Sequence, residues 1–169
     1  IPFDIILHLD DLHHRVLILP GTESLAQEEI DRITEFVRQG GTLVITGNTG
    51  KYDDWRRERP VNPFDELLAG ADRASIGQGW IARVPELELP DTAPPLADRK
   101  VWDGYYKVID ARYWLLPRNA GALVEALRAE DFATLCPITV NAPHTTFIEP
   151  RVSADGQSLY IHVINYQLD

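Results

Sequence analysis

The sequence holds no methionine and one cysteine, Cys136. A lone cysteine cannot build a disulfide framework or a cysteine-based metal site within the chain. It fits a reducing compartment such as the cytoplasm. No apolar run approaches the ~20 residues that cross a bilayer, and the opening residues lack the basic-then-apolar pattern of a signal peptide. Positive charge is also short: 16 Lys and Arg stand against 26 Asp and Glu, for a net charge of −10. Such a surface repels nucleic acid and anionic membranes, so neither is an expected partner. Internal repeats and low-complexity segments are missing as well. The chain opens at Ile1 without a start methionine, so a piece of a longer protein is expected.

What is present is an ordinary globular composition, with 44% hydrophobic residues. Residues 3–8 (FDIILH) and 15–20 (RVLILP) are continuous apolar runs of the kind that form strands buried on both faces. Ser24 reads as a helix N-cap, with Gln27 three residues on. Ala26, Ile30, Ile33 and Val37 then recur at helical spacing on one face, and Gly40-Gly41 reads as the stop. TLVITG (42–47) is the next strand. Strand, helix and strand within about thirty residues is the βαβ unit, which makes its two strands parallel.

Further on, Asn62-Pro63 predicts the start of a short helix through residue 70. Residues 74–86 predict a hairpin or bulged strand around Gly77 and Gly79. The proline-rich 85–99 reads as an extended loop. Residues 120–132 predict an amphipathic helix with Ala120, Leu123, Val124 and Leu127 inward. Three strands follow, at 137–143, 145–153 and 158–166, the last two joined by a turn at Asp155-Gly156. The expected architecture is α/β: a small parallel flavodoxin-like or amidotransferase-like sheet with flanking helices over 1–132, then antiparallel β structure over 133–169.

The stretch RVLILPGTESLAQEEIDRITEFVRQGGTLVITGNTGKYDDWRRERP resembles the beta-galactosidase trimerisation domain, the middle domain of certain bacterial beta-galactosidases and related glycosidase-like proteins. GQGWIARVPE is similar to that family's glycine-flanked strand, and SLYIHVINYQ to the strand opening its following β domain. The resemblance spans about residues 3–86, with a weaker echo over 137–167. It implies a class I glutamine amidotransferase-like fold. In that family a strand and a helix precede the position of FDIIL, and a catalytic barrel lies further upstream; this chain lacks both. The resemblance therefore implies a carboxy-terminal portion of a glycosidase-like protein, whose catalytic acids lie on the barrel. The implied partners are further copies of the chain or that barrel.

Several groups of residues invite a chemical reading. Gly47-Asn48-Thr49-Gly50 ends a parallel strand and could cradle an anion. It does not match a P-loop, because Tyr52 follows Gly50-Lys51, and it lacks the dinucleotide fingerprint. In YDDWRRER (52–59), Asp53, Asp54 and Glu58 could pair for glycoside cleavage with Trp55 as a sugar platform. Arg56, Arg57 and Arg59 lie among them, and neighbouring cations depress the pKa that a general acid needs raised. The competing reading is a salt-bridged loop that contacts another domain or subunit, through Asn48, Lys51, Tyr52, Asp54, Trp55, Arg56 and Arg57.

Cys136 precedes Pro137, which has no N–H to offer an oxyanion hole, and no glycine elbow surrounds it, so a buried structural thiol is expected despite His144 and His162. His8, His13, His14, Asp10 and Asp11 do not form a converging ligand set. No cofactor is called for. Trp80, Trp102, Tyr105, Tyr106, Tyr113 and Trp114 read equally as packed core or as an exposed binding surface. Three functions from different classes stand: a scaffold and oligomerisation domain, a hydrolase using the 51–59 loop, and a carbohydrate-binding module.

Overall fold

The computed structural model describes residues 5–6, 9, 12–90, 116–128, 140–143 and 146–165. Its contacts divide the chain into two units, one of Leu9–Glu130 and one of Ile1–His8 with Asp131–Asp169. In the larger unit the elements run β1 (Val16–Leu19), α1 (Gln27–Arg38), β2 (Thr42–Thr46), α2 (Pro63–Leu68), β3 (Arg73–Ile76), β4 (Gly79–Val84) and α3 (Ala120–Arg128). The four strands form one sheet in the order β1-β2-β4-β3. β1 and β4 both pair parallel with β2, and β3 closes the far edge antiparallel to β4.

β2 has a hydrogen-bonded neighbour on each side, and all five of its residues are buried. Its continuous TLVIT run is what such a position demands, since both faces lie away from water. Leu43 and Ile45 line one face with Leu17, Leu19 and Ile81, and α1 lays Ile30, Ile33 and Val37 onto the same cluster. Phe64 and Leu68 of α2 complete it. α3 packs against β4, with Leu127 buried. Among the described residues no helix is long and apolar enough to cross a membrane.

The βαβ unit, the short helix capped by Asn62 and the hairpin after Gly77 all match the sequence reading. Asn62 Oδ1 accepts the Phe64 N–H at 2.9 Å, as its capping role requires. Four expectations are corrected. Ser24 is no cap: it is drawn into a bridge with Tyr52, and α1 begins after Ala26, whose N–H is taken by the Glu29 carboxylate at 2.7 Å. Val124 of α3 is exposed rather than inward, because Leu127 alone of that stripe reaches the core. Ile5 and Ile6, from the first apolar run, belong to no strand, and neither do residues 140–143. The rest of 3–8 and of 137–143 lies outside the described residues, as do residues 129–132 of the expected helix.

The β3–β4 turn is locked onto the end of α1. Gln78 donates its N–H to the Arg38 carbonyl at 2.9 Å, which satisfies one of the open carbonyls at the helix C-terminus. The approach is so close that a Cβ on Gly79 would lie 2.2 Å from the Gly41 oxygen and 2.3 Å from that of Val37. Backbone, not a flexible side chain, occupies that space.

The smaller unit carries β5 (Thr146–Val152) and β6 (Leu159–Asn165), an antiparallel hairpin with Thr146 opposite Asn165 and Val152 opposite Leu159. Its turn falls where the sequence placed it. Gly156 has φ +70°, Asp155 accepts from the Ser153 hydroxyl at 2.5 Å and from the Gln157 N–H at 3.0 Å, and these bonds hold its carboxyl below the ordinary range. Both faces of β6 are exposed.

The helix–turn lock yields a direct test. Gly79→Ala is expected to destabilise the protein by about 3 kcal/mol, the upper end of ordinary overpacking, because no rotamer change relieves a backbone clash. Gly121→Ala, within α3 and with nothing near its missing Cβ, should not destabilise and is expected to gain up to about 1 kcal/mol. Urea unfolding of the two variants measures both.

A candidate binding edge at the carboxyl ends of the parallel strands

Parallel strands deliver their following loops to one edge, where ligands of open α/β sheets collect. Here the loops after β1 and β2 are joined by backbone hydrogen bonds. Gly50 N–H donates to Thr22 O at 3.0 Å, Tyr52 N–H to Glu23 O at 2.9 Å, and Leu25 N–H to Tyr52 O at 3.2 Å. Tyr52 also bridges Glu58, so residues 52–58 fold back as a short finger, with Arg59 N–H on Lys51 O at 3.0 Å. The root is anchored by Thr49, fully buried, whose hydroxyl donates to the carbonyls of Thr46 (2.7 Å) and Leu19 (3.1 Å). Asn62 adds a bond to Thr49 O at 2.8 Å.

Asp53 organises the fingertip. Its Oδ1 accepts the N–H groups of Trp55 (2.9 Å) and Arg57 (2.8 Å), and its Oδ2 accepts from Arg57 Nε at 2.7 Å. The Arg57 backbone bond, followed by the guanidinium, holds the Asp53 carboxyl below the usual carboxylate range. Arg56 takes the left-handed conformation, φ +57°, uncommon for a residue with a Cβ, and its side chain reaches Glu23 at 3.3 Å. This geometry leaves Trp55 at the tip, 77% exposed. Tyr52 lies beneath two cations, with Lys51 Nζ 5.3 Å and the Arg56 guanidinium 5.6 Å from its ring centre.

Beside the finger lies a cleft of about 300 Å³, walled by Asn48, Lys51, Glu58 and Arg59 on one side and by Asp65 and Arg83 on the other. Lys51 Nζ is 3.6 Å from Glu58 Oε1, and the Tyr52 side chain, then the Glu58 charge, hold its ammonium above the ordinary lysine value. Arg59 donates to Leu25 O at 2.8 Å and to Gln27 Oε1 at 3.2 Å. Arg83 pairs with Asp65 through Nη1, while its Nε and Nη2 are buried without partners.

The structure thus separates the residues that the sequence grouped. Asn48, Lys51 and Glu58 meet at the cleft; Tyr52, Asp53, Asp54, Trp55, Arg56 and Arg57 form the finger. The cleft's far wall, Asp65 and Arg83, is distant in sequence and was missed. The signal for Arg83 was a cation set inside the apolar strand GWIARV. Trp80 is buried, with the Arg73 guanidinium 4.0 Å from its ring. Trp102, Tyr105, Tyr106, Tyr113, Trp114, Cys136, His144, His8, Asp10 and Asp11 lie outside the described residues. His13 and His14 stack with ring centres 4.2 Å apart, and among the described residues no group of three or more metal-ligating side chains converges.

The Asp53 bonds carry a pH dependence of definite sign. Its folded pKa lies below the unfolded value of about 3.9, so the stabilisation is complete above that value and is lost as pH falls through the depressed one. Trp55 and Arg57 amide signals should hold their positions from neutral pH down to about pH 4 and move together below it. In Asp53→Ala they should sit at the displaced positions already at pH 7. A titration followed by NMR checks both.

Comparison with known families adds a match over the first third of the chain. The family model described as the beta-galactosidase trimerisation domain covers residues 1–60 of the 169, which takes in β1, α1, β2 and the finger and stops before α2. We find no significantly similar relative among curated proteins.

Proposed function

We propose that this chain is a non-catalytic self-association domain of a glycosidase-like, beta-galactosidase-related protein, and that the finger at 52–58 is its contact element. The observation that carries the reading is the fingertip: a tryptophan held out in water on a loop fixed at both root and tip. A large exposed aromatic on a pre-ordered backbone is the ordinary anchor of a protein interface, since little ordering entropy remains to be lost on binding. The family match over residues 1–60 supports both the oligomerising role and the glycosidase-like parent. We take the sheet to be a shortened amidotransferase-like one, with the chain's first unit ending near residue 132.

The carboxylates of the loop support the non-catalytic reading by their engagements. Glycoside cleavage needs one carboxyl with a raised pKa facing a second across the sugar. Asp53 is fully engaged with Arg57 and shifted the opposite way. Glu58 is paired with Lys51. Trp55 also favours a second reading, a carbohydrate-stacking module, because a bare indole face serves a sugar ring as readily as an apolar protein pocket.

Sedimentation analysis separates these. The chain is expected to self-associate, and Trp55→Ala should weaken that association by about 2 kcal/mol, the scale of an aromatic anchor. Aryl glycosides should not turn over; turnover abolished by Asp54→Asn would instead make the loop a hydrolase site. A monomer whose Trp55 fluorescence is quenched by sugars would favour the carbohydrate module.

A further inference from the structure

If the finger is a contact element, its tryptophan needs an acceptor on the second copy. Trp55 stands next to Arg56 and Arg57, whose side chains are each 74% exposed. Over residues 51–59, Lys51, Arg56, Arg57 and Arg59 against Asp53, Asp54 and Glu58 leave one net positive charge, on a chain whose total is −10. Contact between two fingers would bring like charges together, which is costly at an interface. The helix α1 has the opposite sign: Glu28, Glu29, Asp31 and Glu35 against Arg32 and Arg38 leave two net negative charges. Beside that helix lies a groove of about 390 Å³, lined by the apolar Leu9, Leu12 and Phe36 and by Arg32, Glu35 and Gln39. The three apolar side chains pack against the core, so the groove has a fixed floor, and the three polar residues form an exposed rim. The cleft beside the finger, by contrast, is walled mainly by charged and polar groups and suits an indole poorly.

We propose that the groove at Phe36 receives Trp55 from a second copy, so that the domain associates head to tail, finger into groove. The assignment rests on the self-association reading given above and names the surface that the finger meets. Leu12 precedes β1 and Gln39 precedes β2, so the groove lies at the amino ends of the parallel strands, whereas the finger follows the carboxyl end of β2. Finger and groove thus sit at opposite ends of one sheet, and the finger of a copy does not reach that copy's own groove. Their contact is heterologous: each copy gives a finger to one neighbour and a groove to the other. An apolar floor under an exposed polar rim is the ordinary setting for an aromatic anchor. The charges agree with the docking, because the positive finger comes down beside Glu35 on the negative face of α1. Glu35 is free to answer it: its only ion pair among the described residues is a long one, to Arg38 at 3.9 Å, with both side chains more than half exposed.

Sedimentation equilibrium of the full chain at pH 7 tests this by complementation. Trp55→Ala removes the anchor and keeps the groove. Gln39→Trp, at the exposed rim, fills the groove with the chain's own indole and keeps the finger. Each variant alone should associate at least about tenfold more weakly than the wild type, the scale of an interface anchor. Their equimolar mixture should form a one-to-one complex that grows no further, since one working finger meets one working groove. Should Gln39→Trp not fold, Glu35→Lys serves instead: it should weaken wild-type association severalfold at low salt and less at high salt. Finger-dependent association that the groove variants leave at wild-type strength overturns the groove assignment alone. A mixture that stays monomeric overturns it too, and leaves finger-to-finger contact as the mode of association. A wild-type chain that stays monomeric, or association that survives Trp55→Ala, overturns the reading of the finger as the contact element and this assignment with it.

Discussion

The fold of the larger unit depends on one constraint: β2 has a parallel partner on each side and no face left for water. Leu43, Val44 and Ile45 are wholly buried. At about 25 cal/mol per Å² of apolar surface removed from water, side chains of this size contribute roughly 1.5–3 kcal/mol each. Because β1 and β4 both run parallel to this strand, the loops after β1 and β2 emerge at one edge. The candidate binding edge follows from that placement. The 22–25 segment meets 50–52 there, the finger folds back on it, and Arg83 arrives from β4 to form the cleft.

The binding edge holds two different devices built from the same kinds of residue. In the finger, cations serve to fix shape. Arg57 closes on Asp53, and Arg56 reaches Glu23, so the tip carries a tryptophan on a rigid support rather than on a mobile loop. In the cleft, Lys51 is similarly occupied, while Arg59 and Arg83 each engage part of the guanidinium and bury the remaining N–H groups, Nε of Arg59 and Nε and Nη2 of Arg83, without a partner. Exposed ion pairs add little stability one at a time. Their role here is to set geometry, and the reach of Asp53 to the amides of Trp55, two residues on, and Arg57, four residues on, is the clearest case.

Much of the fold was legible because its signals are local. Ile30, Ile33 and Val37 mark the inward stripe of α1 through their spacing, Gly40 ends it with φ +109°, and Asn62-Pro63 announces α2. The failures are as physical. Ser24 has the right chemistry for a cap, but a backbone pairing with Tyr52, distant in sequence, claimed its position. Val124 fits the helical stripe of α3, yet that helix is shallowly seated and leaves it exposed. At the site, the 47–59 loop was recognisable from the strand preceding it. Its division into finger and cleft was not, because that rests on Asp65 and Arg83, which only the β2–β4 pairing brings near. A cation within an apolar strand was the one sequence clue.

The edge is a built structure, held to β2 by the bonds between the two loops. Native-state hydrogen exchange measures this most directly. The Gly50, Tyr52 and Leu25 amides, each bonded across the loops, should exchange slowly, with protection near that of Val44 and Ile45 in β2. Exchange of these three amides at unprotected rates, while β2 stays protected, would show that the loops are independent of the sheet and that no built edge exists.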